Sequence, residues 1–297
     1  MTFKLLALPG DETFAARLAE CTGADVLDAD IRRFPDGESY LRLDDPVDGA
    51  SVAVVARLDR PDARIPPLLF AAAMARDLGA ARVGLVAPYL PYMRQDDRFR
   101  PGEALTSVTF AHWLSTHFDW LVTVDPHLHR YPTLDAIYSL EARTVTAAPL
   151  IAAWIHGNVT DPVVVGPDSE SGQWVRAVAS QRRLPWRVLE KRRRGDTDVT
   201  VTGNDLAGVR DRNPVLVDDI CASGATLADA ARVLREAGLA APACVVVHGL
   251  FDDDSRARLR RAGVAPVIAT DSVESDLARI ELAARIAATV AELADAS

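Results

Sequence analysis

The stretch VLVDDICASGATL, residues 215–227, joins an apolar run to two acids and a turn of small residues. Its first half predicts a buried strand, and Thr226 is placed where the following helix should start. Open α/β sheets bind ligands at the carboxyl ends of their strands, where Asp218 and Asp219 would lie. The N–H groups of the turn could hold an anion. The carboxylates could accept hydrogen bonds from neighbouring hydroxyls of a sugar, or hold a divalent cation. The alternative is a strand end and a helix cap without a ligand.

The same alternation of short apolar runs and Ala-, Leu- and Arg-rich segments extends over the whole chain. The predicted strands are 4–8, 51–56, 82–88, 120–125, 162–167, 214–219 and 243–249. The predicted helices are 12–22, 66–78, 105–117, 148–156, 171–182, 226–237, 253–262 and 273–294. Several strands are apolar on both faces, which is typical of a parallel sheet covered by helices. The pattern predicts an α/β fold that runs twice, in domains 1–147 and 148–297, with the last helix suited to burial against the other domain or a neighbouring chain.

The composition narrows the class of protein. The chain has 297 residues, 49% of them hydrophobic, and a net charge of −9, which argues against general nucleic-acid binding. No stretch of eighteen apolar residues occurs, so a membrane span is not expected. Cys21, Cys221 and Cys244 are widely spaced and form no CxxC pair, which favours a reducing, cytoplasmic location.

The opening stretch resembles the phosphoribosyl-pyrophosphate (PRPP) loop of type I phosphoribosyltransferases and of PRPP synthetases. By itself this likeness does not separate the two groups. It implies two tandem phosphoribosyltransferase-like domains, each a mainly parallel sheet flanked by helices. It also implies that the sugar hydroxyls bind Asp218 and Asp219, and that the 5-phosphate binds the loop Ala222, Ser223, Gly224, Ala225 and Thr226. Ala222 and Ala225 depart from the usual loop: Ala222 lacks a side-chain acceptor, and Ala225 would crowd a position that needs a positive φ.

The segment RRFPDGESYLRL, residues 32–43, is similar to the F-x-D-G-E segment of PRPP synthetases. This resemblance implies that Phe34 stacks on the adenine of ATP, across a subunit contact of a homo-oligomer. Asp36 and Glu38 would then make polar or water-mediated contacts with the nucleotide. The residues alone predict a Pro-Asp-Gly turn that opens a hairpin, and both interpretations can hold together.

The segment PYLPYMRQDDRFRPGEALTS, residues 88–107, resembles the P-Y-x-x-Y-x-R-Q-D segment of the synthetases, and its RFRPGE continuation is closest to their archaeal-type branch. The resemblance implies that Arg94 and Gln95 contact ATP. Its run of charges would otherwise be typical of a solvated loop.

Two strand ends resemble the metal and phosphate segments of the same family. In VDPHLHR, residues 124–130, His127 corresponds to the histidine that lies by magnesium and the ATP phosphates; a zinc site is the alternative, although an H-x-H pair is a weak signal for one. In GPDSESGQWV, residues 166–175, Asp168 corresponds to a residue near ribose 5-phosphate and a second Mg²⁺ ion. The residues that follow Asp168 are also ordinary helix-start signals.

The segment LEKRRRGDTDVT, residues 189–200, contains four consecutive basic residues. They could form a charged, solvated turn. The resemblance implies instead that Lys191 and Arg193 are the K-x-R pair of the flexible catalytic loop, with cations that stabilise charge during phosphoryl-type transfer.

These matches occur in order along the chain and together imply a ribose-phosphate diphosphokinase. It would use Mg²⁺, ATP and ribose 5-phosphate, with Lys191, Arg193 and His127 in catalytic roles. Two alternatives stay open at this point. One is a phosphoribosyltransferase that consumes PRPP, which would not need the ATP-side segments, and the other is a non-catalytic regulatory paralogue that binds nucleotides.

Overall fold

A computed structural model of the chain describes the backbone of residues 2–194, 198–203 and 206–296 and the side chains of residues 2–190 and 206–296. The strands are β1 (Phe3–Ala7), β2 (Asp25–Val26), β3 (Ala29–Arg33), β4 (Ser39–Leu43), β5 (Ser51–Val55), β6 (Arg82–Ala87), β7 (Trp120–Val124), β8 (Glu141–Val145), β9 (Pro162–Gly166), β10 (Trp186–Arg194), β11 (Asp198–Gly203), β12 (Asn213–Cys221), β13 (Ala243–Gly249), β14 (Val267–Thr270) and β15 (Ala278–Ile280). The helices are α1 (Glu12–Thr22), α2 (Pro61–Asp77), α3 (Thr106–His117), α4 (Ala148–Asn158), α5 (Gly172–Arg182), α6 (Ala225–Glu236), α7 (Asp253–Arg261) and α8 (Ala283–Asp295). Among the described residues, none of the helices combines the length and the apolar character that crossing a bilayer requires.

The first of two compact units comprises Met1–Val145 and Leu282–Ser297. Its six-stranded sheet has the order β2-β1-β5-β6-β7-β8, and all its pairings are parallel. Every residue of β5 and of β7 is buried, as expected for strands in the middle of a parallel sheet between helices. The predicted α/β architecture with a parallel sheet is confirmed for this unit.

The carboxyl-terminal helix α8 belongs to the first unit, although it follows the second unit in sequence. Its buried residues Ile286, Val290 and Leu293 recur at helical spacing, and the helix packs against α1. Arg82, the first residue of β6, donates a hydrogen bond to the backbone oxygen of Leu293 at 2.7 Å. The chain therefore leaves the first unit after β8 and returns to it with its last helix.

The second unit, Thr146–Glu281, contains a seven-stranded sheet of order β11-β10-β9-β12-β13-β14-β15. Its pairings are parallel except for the antiparallel pairing of β10 with β11. Strand β12, which carries the VLVDD run, lies inside the sheet between β9 and β13. The parallel neighbours of β12 end at the same edge of the sheet, so the loops that follow β9 and β12 start side by side.

Two predicted helices differ from those observed. The prediction of a helix over 273–294 is wrong in its first part, because Ala278–Ile280 form β15 and pair in parallel with β14. A short apolar run does not distinguish strand from helix by periodicity, and here the open edge of β14 decides the outcome. Helix α2 begins at Pro61, five residues before the predicted start at 66, and contains Pro66 and Pro67. Proline lacks the N–H that a helix interior uses, which is why the sequence favoured a later start.

A glycine and a tryptophan fix the spacing of two central strands in the first unit. Trp120, the first residue of β7, is completely buried and lies against Gly84 of β6. A Cβ atom added at Gly84 would come within 1.9 Å of an indole carbon. The indole therefore occupies the space that any other side chain at position 84 would need.

Candidate functional site

Two adjacent carboxylates end the central strand of the second unit. Asp219 is 5% exposed, and Asp218 is half-buried. The Asp219 N–H donates to Asp218 Oδ1 at 3.0 Å, and the Ile220 N–H donates to Asp219 Oδ1 at 2.7 Å. Burial, followed by the negative charges of Asp219 and Asp168, raises the pKa of Asp218 well above its usual value. A ligand that donates hydrogen bonds or carries positive charge would relieve this concentration of acid.

The loop after these acids leads directly into α6. Gly224 is the N-cap of α6 and has a φ of +69°, and a Cβ there would lie 3.2 Å from Leu259 Cγ. A glycine N-cap has no side chain to accept the first N–H groups of the helix, so those donors can serve an anion. Arg258 donates to the Ser223 backbone oxygen at 2.8 Å and so ties the loop to α7.

The crowding expected at Ala225 does not occur. Ala225 is the first residue of α6, and the left-handed backbone falls on Gly224 instead. Thr226 lies in the first turn of the helix, beside the N–H groups that would meet a phosphate. Ala222 is half-buried between the acids and this turn, and offers only its backbone to a ligand.

Asp168 follows β9, the strand beside β12, and holds together the start of α5. Its Oδ1 atom accepts the N–H groups of Glu170 at 3.1 Å and Ser171 at 3.2 Å, and its backbone oxygen accepts the Ser171 hydroxyl at 2.6 Å. The interpretation of this segment as the start of a helix is therefore confirmed. It is compatible with a ligand role for Asp168. The charge of Asp168 also raises the pKa of Asp218, so the two carboxylates are electrostatically coupled at this edge of the sheet.

Lys191 and Arg193 lie on β10, in the part of that strand that pairs with β11. Their backbone partners are Val201 and Val199. The sequence indicated a loop or turn for this segment, whereas a β-hairpin forms its base. The side chains of both residues lie outside the described part of the chain, as do residues 195–197.

The hairpin formed by β3 and β4 presents Phe34 at its tip. The Phe34 N–H donates to the Glu38 backbone oxygen at 2.8 Å, and the Glu38 N–H donates to Asp36 Oδ1 at 3.1 Å. Phe34 is 41% exposed, and its ring packs edge-on against Tyr40 at 5.7 Å between centroids. At the base of the tip, Arg33 donates to the Ala63 backbone oxygen of α2 at 2.7 Å. The predicted hairpin is confirmed, with an exposed aromatic ring at its end.

Arg94 and Gln95 lie in the loop that follows β6, the strand beside β7. Arg94 is exposed, and the Gln95 backbone oxygen accepts the Ser107 hydroxyl at 3.1 Å. Arg130, which follows β7, approaches Asp96 at 3.5 Å and Asp97 at 3.4 Å. These ion pairs connect the Arg94–Gln95 loop to the loop that carries His127.

His127 lies five residues before Pro132 in the loop after β7, and its ring stacks edge-on with that of His129, 4.0 Å away between centroids. The loop begins at Asp125, whose φ of +35° is unusual for a residue with a side chain. Such strained positions often lie at functional loops.

The structure thus brings together some of the predicted residues in each unit. Asp168, Asp218 and Asp219 converge at one sheet edge of the second unit, next to the loop 222–226. In the first unit the loops of Arg94 and His127 are joined, while the tip residue Phe34 is held by the hairpin and α2. Sequence reasoning missed the residues that hold these loops, Arg130 and Arg258 above all. Their partners are distant in sequence, and a lone arginine in a polar segment gives no signal of a partner.

Comparison with known proteins identifies the family. A model described as the N-terminal domain of ribose phosphate pyrophosphokinase matches residues 3–117, and a phosphoribosyl transferase domain model matches residues 135–277. The chain is 33% identical to a ribose-phosphate pyrophosphokinase of Methanopyrus kandleri, over 93% of this chain and 94% of that protein. It is 34% identical to the one from Halobacterium salinarum, over 95% of this chain and 99% of that protein.

A solved structure agrees on the fold. The crystal structure of phosphoribosylpyrophosphate synthetase from Mycobacterium smegmatis is similar with a TM-score of 0.85 at 24% identity, covering 99% of each chain. The two domain models and the relatives match over most of the sequence, and the chain belongs to the ribose-phosphate pyrophosphokinase family.

Proposed function

We propose that this chain is a ribose-phosphate diphosphokinase, which transfers the β,γ-diphosphoryl group of ATP to the 1-hydroxyl of ribose 5-phosphate, giving PRPP and AMP. The observation that carries the proposal is the match to ribose-phosphate pyrophosphokinases over 93–97% of the chain at 32–33% identity. The N-terminal domain model of that family covers the segments on which the ATP-side resemblance rests. A phosphoribosyltransferase would not need those segments.

The second unit would bind ribose 5-phosphate. Asp218 and Asp219 would accept hydrogen bonds from the ribose hydroxyls, which suits buried carboxylates surrounded by other acids. The N–H groups of residues 222–226 would hold the 5-phosphate, since the left-handed Gly224 opens the amino end of α6. A phosphate at this position also gains from the positive end of the helix.

The first unit would supply the residues that contact ATP. Phe34 would stack on adenine, with Asp36 and Glu38 in polar contact nearby. Arg94 and Gln95 would contact the nucleotide from the loop that Arg130 braces. An exposed aromatic ring and an exposed guanidinium are suited to a planar base and to phosphate oxygens, respectively.

The donor set fits Mg²⁺. Carboxylate oxygens are the ligands that Mg²⁺ prefers, and Asp168 lies beside the Asp218–Asp219 pair in an acid-rich environment. His127 would lie by one Mg²⁺ ion and the ATP phosphates, and Asp168 would lie near ribose 5-phosphate and a second Mg²⁺ ion. Magnesium bound with ATP supplies positive charge that neutralises the phosphate oxygens.

The chemistry balances without a cofactor that changes its redox state. The ribose O1 atom forms a bond to the β-phosphorus, and the bond from that phosphorus to the bridging oxygen of AMP breaks. The proton of the 1-hydroxyl passes to water. Lys191 and Arg193 would stabilise the charge that develops on the transferred group, and alignment would supply most of the rate enhancement.

We further propose a homo-oligomer in which ATP sites lie at subunit contacts. The exposed Phe34 at the end of a hairpin is suited to reaching a neighbouring chain. ATP and ribose 5-phosphate are the partners, with no role for nucleic acid or a membrane. Cytoplasmic location follows from these intracellular substrates and from the three free cysteines.

The test is to incubate the protein with Mg-ATP and ribose 5-phosphate and to measure nucleotides and PRPP. Equal amounts of AMP and PRPP are expected. Formation of ADP would mean transfer of a single phosphoryl group and would overturn the proposal. ATP binding by calorimetry without any product would identify a regulatory paralogue instead.

A further inference from the structure

A basic cleft of about 650 Å³ opens on the second unit. The residues that line it are Arg183, Leu184, Pro185, Trp186, Arg187, Val188 and Arg212. Three of the seven are arginines, and none of these lining residues is acidic, although the chain as a whole has a net charge of −9. A cleft of this size is in the range that small-molecule ligands occupy, and its charge selects for anions.

The cleft extends from the amino edge of the sheet, where Arg183 and Arg212 lie, along the first residues of β10. Trp186 begins β10 and pairs with Val164 of β9, and Asp161 precedes β9. Asp168 lies four residues after Val164, roughly 13 Å away at the rise of a β-strand, and seven residues after Asp161, the ion-pair partner of Arg212. A ligand in the cleft would therefore be distinct from one at the carboxyl ends of the strands.

The chemistry of the cleft points to a ligand with both a planar ring and a phosphate. Trp186 is 39% exposed, and the Arg176 guanidinium lies 5.6 Å from the centroid of its ring. An exposed indole offers a surface for stacking that accepts any base. Guanidinium groups bind phosphate and carboxylate oxygens with paired hydrogen bonds, and three of them together suit the greater negative charge of a phosphate.

The backbone around the cleft is strained at two positions. Arg183 ends α5 with a φ of +53°, where glycine is the residue that usually caps a helix in this way. Asp161, which pairs with Arg212, has a φ of +44°. Arg183 thus reaches the cleft from the residue that caps α5, and Asp161 pairs with Arg212 beside it.

We propose that this cleft binds a nucleoside monophosphate, with the base against Trp186 and the phosphate against Arg183, Arg187 and Arg212. The proposal rests on the cleft alone and is independent of the reaction assigned to the chain. AMP is the probe for the nucleotide, and inorganic phosphate is the probe for the anion alone.

The first experiment uses Arg183→Gly, because glycine relieves the strained backbone while it removes the guanidinium. We expect a higher melting temperature together with an AMP affinity at this site that is weaker by about tenfold or more. The matched control is Arg182→Ala, which removes the same charge from the neighbouring exposed position that does not line the cleft. In calorimetric titrations, the AMP affinity of this site should be lower in Arg183→Gly than in the control by that factor. Identical isotherms for the two variants would overturn the proposal.

The second experiment separates the ring from the phosphate. Trp186→Leu should weaken AMP binding by about tenfold, leave the affinity for inorganic phosphate unchanged, and abolish the quenching of tryptophan fluorescence by AMP at this site. Trp113→Leu is the control, since Trp113 is 44% exposed on α3 of the other unit. Equal AMP affinity in the two variants would rule out a nucleotide, and failure of inorganic phosphate to bind the wild-type protein would rule out the anion subsite.

Discussion

At the scale of single residues, Asp218 concentrates the chemistry of the second unit. Burial and two neighbouring carboxylates make its ionised form costly, as its raised pKa indicates. Such a carboxylate lowers the stability of the protein without a ligand and is stabilised when hydroxyls or a cation bind to it. This behaviour is typical of a binding site. Position 222, an alanine here, adds no further acid to this crowded edge.

Replacement of Asp218 by asparagine should therefore separate stability from activity. The neutral amide removes a charge that the folded state disfavours, so the melting temperature at pH 7 should rise. The loss of a charged acceptor for a ribose hydroxyl should lower kcat/KM for ribose 5-phosphate by about 10–100-fold. The exposed Asp229 on α6 gives the control, Asp229→Asn. A destabilised D218N variant with normal kcat/KM would contradict this assignment.

Replacement of Gly224 should distort the loop 222–226, which we propose binds the 5-phosphate. An alanine there is strained by the positive φ and also meets Leu259 Cγ at 3.2 Å. Gly238 has a φ of +86° with nothing within 4 Å of an added Cβ, so Gly238→Ala reports the strain alone. We expect both variants to lose about 1 kcal/mol of unfolding free energy and G224A to lose more. Only G224A should raise the KM for ribose 5-phosphate; an equal effect of both variants on KM would argue against this loop.

The three cysteines should differ in reactivity. Burial raises the pKa of Cys221 to about 12, and full burial raises that of Cys244 as well. At pH 8 a thiol with a pKa of about 12 is ionised in roughly one molecule in 10⁴, and only the thiolate reacts rapidly. Titration of the folded protein with a thiol reagent should therefore modify one cysteine, the exposed Cys21, and unfolding should release all three. Rapid modification of more than one thiol in the folded protein would show that the β12 end is more open than described.

At the scale of elements, the sequence predicts best the strands that consist of apolar residues. The observed β5, β7, β9 and β13 begin at the predicted residues, because strands buried on both faces leave continuous apolar runs. Strands β8 and β15 lie at sheet edges and β14 has only four residues, and the pairing of distant segments decides all three. The K-x-R segment is similar: its local sequence suggested a turn, and pairing with β11 makes it a hairpin arm.

The acids at strand ends could also be predicted, because a parallel sheet places them at one edge whatever the details of packing. The contacts of Arg130 and Arg258 could not be predicted, because these contacts link segments that are far apart in sequence. The basic cleft at the amino edge was likewise missed. The arginines that line it lie between positions 183 and 212, and the pairing of β9 with both β10 and β12 brings them together.

The pair formed by Gly84 and Trp120 tests the packing of two strands. Gly84→Ala would place a methyl group within about 2 Å of the indole, which the surrounding fully buried residues leave no room to absorb. We expect the unfolding free energy to fall by at least about 1–3 kcal/mol. Gly157→Ala is a suitable control, because an added Cβ there meets nothing within 4 Å. Chemical denaturation would measure both, and equal stability of the two variants would contradict the described register of β6 and β7.

At the scale of the whole molecule, the chain consists of two α/β units that differ in the side chains and loops they carry. The first has the exposed aromatic hairpin and the braced Arg94 loop, and the second has the acids and the anion loop. The proposed reaction between a nucleotide and a sugar phosphate would use both sets. The family assignment fits this division, since the two domain models cover the two units in turn.

The most direct test of the proposed reaction follows the individual phosphorus atoms of ATP. The protein is supplied with Mg²⁺, ribose 5-phosphate and ATP labelled at either the α- or the β-phosphorus, and the products are separated. Attack at the β-phosphorus predicts that the α-label remains in AMP and that the β-label appears in PRPP, in equal molar amounts. Recovery of the β-label in ADP, or in unreacted ATP alone, would contradict the proposed diphosphoryl transfer.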